Sequence, residues 1–571
     1  MTQARRGTLG SARGRSGFSR RGFLRAVGIS GGASTMFAAM GALELAPTAE
    51  AAAAPPYRAP RASDFRLTGR SAASVVVLGG GVAGLVSAYE LGKAGYDCTI
   101  LEPRGRTGGR NFTARAGTRQ SELHGYSQTA RFAEGQYMNC GAARLAQWMV
   151  TVDYCRELGV PIEVFTNYNA DAYIYNEKSG MTPGRPVRYR TAEADTYGYV
   201  GELLAKASDQ GALDKQLTAA DRERLLAFLE RWGRIGAKAD GFAYRGSTRR
   251  GFGVWPGAAG TPGIELSPVP SVSEVFASGV GRYFSFNLNY NQAMVMFQPV
   301  GGMDQLPKAL TRAIGPRRVR LGCQATSVTE LAHGVRVAYQ DGTGQERVVD
   351  ADYCIAAMPP HLLAGLPHNL GSAVQRALTS IAPASAGKIG LEYRSRWWET
   401  DHRIYGGITE TDLDLSHIWH PSYDFNGERG VMIGYYNTGS RADRYGTMSP
   451  KAREERAVAL GSRIYGRKYR TELASSFSVS WQYVPHLEGA WHRLPGGSPD
   501  APVLRPLTEP SGRVLFAGDW LSYTDGWQHG AILSARKAVT ALHARALKHE
   551  HRSTPAERGA VHGSADQDGG E

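Results

Sequence analysis

Cysteine is scarce in this 571-residue chain: there are five, at 98, 140, 155, 323 and 354, an odd number with no Cys-x-x-Cys spacing. Neither a disulfide framework nor a paired-thiol motif is written into it, and all five read as buried thiols. No apolar run reaches the roughly 18 residues that cross a bilayer, which argues against an integral membrane protein. No Lys/Arg-rich block with interleaved aromatics follows Arg25, although the net charge is +14. Seven arginines and two glutamates within residues 1–51 place five of those charges in that segment, and the rest are diffuse. Nucleic-acid binding is disfavoured accordingly. There is no internal repeat and no HExxH or EF-hand spacing. His549 and His551 fall in a polar, aperiodic stretch, 549–571, that reads as a disordered tail and not as metal ligands. What remains, 42% hydrophobic and 21% charged, is globular material. It suffices for roughly two to four domains.

The amino terminus orders a basic segment, Ser19-Arg20-Arg21-Gly22-Phe23-Leu24-Arg25, an apolar stretch from about Ala26 to Ala46, and the small-residue sequence Ala49-Glu50-Ala51. That order is an export signal, and the paired arginines before Phe-Leu resemble the twin-arginine type. The segment Gly28-Ile29-Ser30-Gly31-Gly32 fits the GxSxG hydrolase pattern, but it sits inside the signal with no preceding strand, so it is a chance match. Residues 52–70, rich in Ala, Pro and Arg, read as a linker.

In the mature chain, Val75–Leu78 predicts a strand, Ala83–Lys93 a helix and Cys98–Leu101 a second strand. Helical patterns prevail from about 140 to 310. Thr218-Ala219-Ala220-Asp221 resembles a capping box, with Leu225, Phe228, Leu229 and Trp232 following on one face as core. Further strands are expected at Gly334–Tyr339, Val348–Ala357, Ile389–Tyr393 and Val431–Tyr436.

Between the first strand and helix lies Gly79-Gly80-Gly81-Val82-Ala83-Gly84, the Gly-x-Gly-x-x-Gly fingerprint in its required context. Gly79 permits the tight turn and Gly81 lets the backbone approach a pyrophosphate. Gly84 lets helix and strand pack closely, with Ala83 beside it at the helix N-terminus. Glu102, at the end of the second strand, is placed to accept from ribose hydroxyls.

The next residues, Glu102-Pro103-Arg104-Gly105-Arg106-Thr107-Gly108-Gly109-Arg110, resemble the Arg-x-Gly-Gly-Arg extension of the flavin amine oxidase superfamily. Gly512-Arg513-Val514-Leu515-Phe516-Ala517-Gly518-Asp519 resembles that family's second FAD motif, and Gly526-Trp527-Gln528-His529-Gly530-Ala531 its following helix start. The likeness implies an α/β protein: a Rossmann-like FAD-binding domain, a mixed-sheet substrate-binding domain and an inserted helical domain. It implies FAD held by Pro103, Arg104, Gly109, Arg110, Ala325, Gly518, Asp519, Trp527 and Ala531 besides the fingerprint residues. The last cysteine is Cys354. The C-terminal cysteine through which some members bind FAD covalently is therefore missing, and a dissociable flavin is expected. On this reading 1–51 is the signal and 52–70 the linker. The FAD domain comprises 71–140, 301–365 and 486–548; 141–300 supplies helical and substrate-domain segments, 366–485 the rest of the substrate domain, and 549–571 the tail.

Within the superfamily the chain is closest to secreted bacterial L-amino-acid oxidases. Met138-Asn139-Cys140-Gly141-Ala142-Ala143-Arg144-Leu145 resembles the segment whose arginine grips the substrate carboxylate, hence Arg144. Val431-Met432-Ile433-Gly434-Tyr435-Tyr436 resembles the strand supplying a tyrosine hydroxyl to the same group, hence Tyr435. By the same likeness Gln292 and Trp481 line the side-chain pocket, Gly526 offers its carbonyl to the amine, Trp527 walls the substrate, and Lys388 holds a water at the flavin. Lys388 and Trp527 are the catalytic candidates. Gly301-Gly302-Met303-Asp304-Gln305-Leu306-Pro307 is a further family segment with a structural role. With one dinucleotide fingerprint there is no obvious second site for a nicotinamide, so the organic substrate is the expected donor and dioxygen the acceptor. The expectation is oxidative deamination of neutral L-amino acids by an exported homodimer, with no nucleic-acid partner, no metal and no integral membrane segment after signal removal. An amine or polyamine oxidase, an amino-acid 2-monooxygenase and a non-catalytic electron-transfer flavoprotein remain the alternatives.

Overall fold

The computed structural model describes residues 59–178, 183–284, 289–292 and 295–552. The expected export signal, the GxSxG match within it and most of the expected tail lie outside these residues. The described chain divides into two compact units, residues 190–276 and residues 59–189 with 277–552.

The larger unit holds a five-stranded parallel sheet in the order Val319–Leu321, Asp97–Glu102, Ser74–Leu78, Tyr353–Ala356, Val514–Phe516. Val76 and Val77 are fully buried, as a parallel strand covered on both faces requires. The helix Val82–Lys93 and the long helix Gln528–Arg552 cover one side, with Leu85, Leu91, Ile532 and Val539 in a single apolar cluster. An antiparallel meander, Gln324–Leu331, Gly334–Gln340 and Glu346–Ala351, is inserted between two strands of this sheet. The stretch expected as one strand over 348–357 is thus two strands in two sheets. Asp352 marks the break, its carboxylate accepting from both the backbone N–H and the hydroxyl of Ser74 at 2.8 Å.

A seven-stranded sheet runs in the order Val187–Arg188, Tyr173–Tyr175, Ile408–Thr411, His417–Trp419, Gly430–Thr438, Ala386–Tyr393, Leu473–Ser480. Its one parallel pairing joins Ile408–Thr411 to Tyr173–Tyr175, so the sheet is mixed. All eight residues of Ala386–Tyr393 are buried.

Three sequence expectations change. The region 141–189 carries the strands Leu145–Ala146, Ile162–Phe165 and Tyr173–Tyr175 around a single short helix, Val150–Glu157, and long helices begin only at Tyr189. The described end of the linker packs onto the core: Ala62 is buried, and Arg536 donates to the Arg61 carbonyl at 3.1 Å and stands 5.0 Å from the Phe65 ring. The last helix passes the expected boundary at 548 and runs to Arg552, with His549 within 3.3 Å of the Tyr353 hydroxyl.

In the smaller unit, Thr218 caps the helix Ala219–Gly233 by accepting from the Asp221 N–H. The buried stripe is Leu226, Leu229 and Gly233, one position round from the expected face, which leaves Phe228 51% exposed. Among the described residues no helix is long and apolar enough to cross a membrane, and no group of three or more His, Cys, Asp or Glu could hold a metal ion.

Candidate active site

A cavity of about 560 Å³ runs from the glycine turn of the parallel sheet to the face of the mixed sheet. At its first end the walls are backbone. Gly79 sits at φ +104°, and a Cβ there would fall 2.9 Å from the Ala357 carbonyl oxygen. At Gly84 a Cβ would fall 2.0 Å from the Gly79 carbonyl oxygen, so the turn closes only with glycine at both places. Gly81, by contrast, has nothing within 4 Å of where a Cβ would stand. That space lies at the N-terminus of the helix Val82–Lys93, where free N–H groups and the helix dipole favour phosphate.

Glu102 lines the cavity and is 4% exposed. Its carboxylate accepts from the Gly80 N–H at 2.8 Å and the Arg104 N–H at 3.0 Å. Burial raises its pKa, against the pull of those donors and of Arg104 and Arg106. It therefore braces the turn as well as facing the cavity. Ala83, Pro103, Gly109, Ala325 and Ala531 also line it, whereas Gly84 lies beneath it and Arg104 turns away to Gln120, donating at 3.3 Å.

Arg110 joins the middle of the site to the other chain end. Its guanidinium pairs with the Asp519 carboxylate and donates to the Ala490 carbonyl at 2.7 Å. Burial opposes the charge on Asp519, but Arg110, His492 and the Gly526 N–H at 2.9 Å hold its carboxyl below the usual range. Gly518 admits no side chain, since a Cβ would meet the Trp520 indole nitrogen at 2.1 Å. Gly526 and Trp527 lead into the helix Gln528–Arg552 at the cavity wall.

The second end is made of side chains. Arg144 donates from Nε to the side-chain amide oxygen of Gln292 at 3.1 Å, and its guanidinium stands 4.7 Å from the Trp419 ring and 5.8 Å from Phe165. Burial lowers its pKa to about 10, which leaves it charged at neutral pH. Lys388, 3% exposed, donates from Nζ to the Gly141 carbonyl at 2.6 Å and lies 4.6 Å from the Trp419 ring and 4.8 Å from the Tyr436 ring. Burial, then the neighbouring Arg144, lowers its pKa to about 7. Trp481 donates from its indole N–H to the Cys140 carbonyl at 3.1 Å and closes another wall.

Tyr435 is not in the cavity. In the antiparallel pairing of Gly430–Thr438 with Ala386–Tyr393, Lys388 stands opposite Tyr436 and Ile389 opposite Tyr435. Alternation then sends Tyr436 to the Lys388 face and Tyr435 to the opposite core, fully buried against Tyr445 at 4.7 Å between ring centroids. The cavity face expected of Tyr435 is occupied by Tyr436. Sequence reasoning also missed Trp419 and Trp491, both of which line the cavity. A strand buried on both faces gives no alternation by which Tyr435 and Tyr436 could be told apart; only its register against Lys388 does so.

The family described as flavin containing amine oxidoreductase matches residues 82–543, most of the chain. The chain belongs to that family. This flavin amine oxidoreductase is 26% identical over 480 residues to the L-amino-acid oxidase of Pseudechis australis, an alignment covering 81% of this chain and 86% of that one. It is 28% identical over 484 residues to the L-amino-acid oxidase of Notechis scutatus scutatus, with the same coverage. In structure it is similar to a cyclohexylamine oxidase from Brevibacterium oxydans, with a TM-score of 0.55 at 16% identity over 83% of this chain and 99% of that one. That likeness establishes the α/β flavin-binding fold. The cofactor of the family is FAD, and the residues present fit it: an open glycine cradle at a helix N-terminus, a buried acid behind the turn, and the Arg110–Asp519 pair farther along the same cavity.

Proposed function

We propose that this flavin amine oxidoreductase is an L-amino-acid oxidase, converting neutral L-amino acids and dioxygen to 2-oxo acids, ammonia and hydrogen peroxide. The observation that carries the reading is Arg144, a charged guanidinium held against Trp419, Phe165 and Gln292 in the wall of the cavity that also holds the glycine cradle. A guanidinium in a poorly hydrated site suits a substrate carboxylate, which it can take by two parallel charge-assisted hydrogen bonds. Tyr436 faces the same volume and supplies a hydroxyl to that carboxylate.

The substrate amine lies toward the Gly526 carbonyl, and Gln292, Trp481 and Trp527 surround the side chain. Lys388, hydrogen-bonded to Gly141, holds a water beside the cofactor. FAD, when bound, supplies the hydride acceptor and is reoxidised by dioxygen. Trp419 and Trp481 exclude solvent, and Arg144 and Tyr436 fix the Cα–H bond by fixing the carboxylate. Dissociable FAD is supported by the cavity lining, which contains none of the five cysteines. Export by the twin-arginine route and homodimer formation are part of the same proposal, the first supported by the succession of basic, apolar and small residues in the sequence from 19 to 51.

A peroxide-coupled assay of the purified protein over the twenty L-amino acids, their D-isomers and simple amines tests the reading. Turnover of neutral L-amino acids with release of ammonia and a 2-oxo acid is expected. Preference for the amines assigns an amine oxidase instead, an amide product a monooxygenase, and no turnover with either class an electron-transfer role.

A further inference from the structure

Two cations share one indole. The Arg144 guanidinium is 4.7 Å and the Lys388 ammonium 4.6 Å from the ring of Trp419, which is itself 6% exposed. Tyr436 completes the arrangement, its ring 4.8 Å from the Lys388 nitrogen and edge-on to Trp419 at 5.2 Å. Lys388 therefore has a backbone carbonyl and two aromatic rings around its charge. Two like charges in one desolvated wall repel, and an electron-rich aromatic face offsets that repulsion without adding an anion that would compete with an incoming carboxylate.

We propose that Trp419 is a positioning residue that keeps the Arg144 guanidinium and the Lys388 side chain in place in the wall of the substrate site and favours the charged form of Lys388. The proposal rests on the amino-acid oxidase reading for the identity of the anion, while the aromatic contacts stand without it. Trp419 occupies the short strand His417–Trp419, paired with Gly430–Thr438, which also carries Tyr436, so one sheet fixes both rings. The charged and titratable groups around the two cations are Cys140, near Lys388, Tyr436, and Glu410, which favours the charge on Arg144 and is itself 2.7 Å from His417. An aromatic face favours the ammonium over the amine, so its loss lowers the Lys388 pKa from about 7.

The test compares wild-type holoenzyme with Trp419→Phe and Trp419→Leu, with Trp419→Met as the replacement should the leucine variant fail to retain flavin. Benzoate affinity, read from the flavin absorbance, and the pH midpoint of flavin bleaching by substrate are measured on each. A contact of about 1 to 2 kcal/mol predicts benzoate binding weakened about 5- to 30-fold and a midpoint lowered by about 0.7 to 1.5 pH units in the aliphatic variant. Trp419→Phe, which keeps a face, should stay within about threefold of wild type. An aliphatic variant equal to wild type in both measurements overturns the proposal, and so does a phenylalanine variant as impaired as the aliphatic one. A wild type that ignores benzoate and amino acids but oxidises amines strikes the substrate reading alone, and the pH midpoint with an amine then decides the role of Trp419.

Discussion

At one end of the cavity the walls are backbone, set by Gly79, Gly81 and Gly84 with Glu102 behind them; at the other they are the side chains of Arg144, Lys388, Trp419, Tyr436 and Trp481. The first end is determined by which residue is absent, because a Cβ at two of its positions would strike a carbonyl. The second is determined by which way each side chain points, and that depends on strand register. Damage at the first should therefore abolish cofactor retention irrespective of substrate, and damage at the second should leave the flavin bound and change what is oxidised.

The largest effect is expected at Gly84→Val. A Cβ there already falls 2.0 Å from the Gly79 carbonyl, so the turn must open. FAD per purified chain, read from visible absorbance, should drop below about a tenth of wild type, overpacking of this kind costing on the order of 1 to 3 kcal/mol or more. A variant that keeps its flavin would break the comparison at its first end. Next comes Arg144→Met, which removes every guanidinium donor proposed for the substrate carboxylate; loss of about 2 to 5 kcal/mol amounts to roughly one and a half to three and a half decades in kcat/KM for an amino acid. Flavin content should be unchanged, and retention of near wild-type kcat/KM would sink the carboxylate assignment.

The register argument sharpens the second end. Tyr436→Phe should raise the KM for an amino acid roughly 10- to 100-fold, as expected for a hydrogen bond to a charged group. Tyr435→Phe, one residue earlier and on the opposite face, should leave KM within about twofold, since its hydroxyl lies outside the cavity. The reverse ranking would mean that the strand is registered differently.

The smallest expected effect concerns stability. Burial, then Arg144, lowers the Lys388 pKa from 10.5 to about 7, so between those values the unfolded chain holds a proton that the folded chain does not. Stability at this position rises with pH across that window and carries the full cost of the buried charge below pH 7. Lys388→Met should therefore be more stable than wild type near pH 7 by about 1 to 4 kcal/mol. The difference should shrink toward pH 10, as thermal unfolding at several pH values would show.

Legibility follows the same division. The nucleotide end could be read because Gly-x-Gly-x-x-Gly, its flanking strand and helix, and Glu102 form one continuous segment whose chemistry is conformational. Arg144, Lys388, Gln292 and Trp481 were recognised in sequence by likeness to a family, and the fold gathers them although nearly 340 residues separate the first from the last. Tyr435 and not Tyr436 was read as the cavity-facing tyrosine because Gly430–Thr438 is apolar on both faces and bulged against its partner near Gly434. Trp419 gave no signal, since an aromatic residue in a short strand reads as core until its two cations are in view. The meander was half legible: its strands alternate, but the side-chain cap at Asp352 that ends it depends on Ser74, 278 residues earlier.

The order of strands in the parallel sheet also sets a schedule. Ser74–Leu78 lies at the centre, beside Tyr353–Ala356, which in turn waits for Val514–Phe516, and the helix that covers them is the last described element. A ribosome has made nine-tenths of the polypeptide before the nucleotide layer can close, so capture of the flavin is an event of the finished chain. If the proposed export route carries the protein with its cofactor aboard, that transport must wait for the carboxyl terminus, although the proposed signal is the first part to be synthesised.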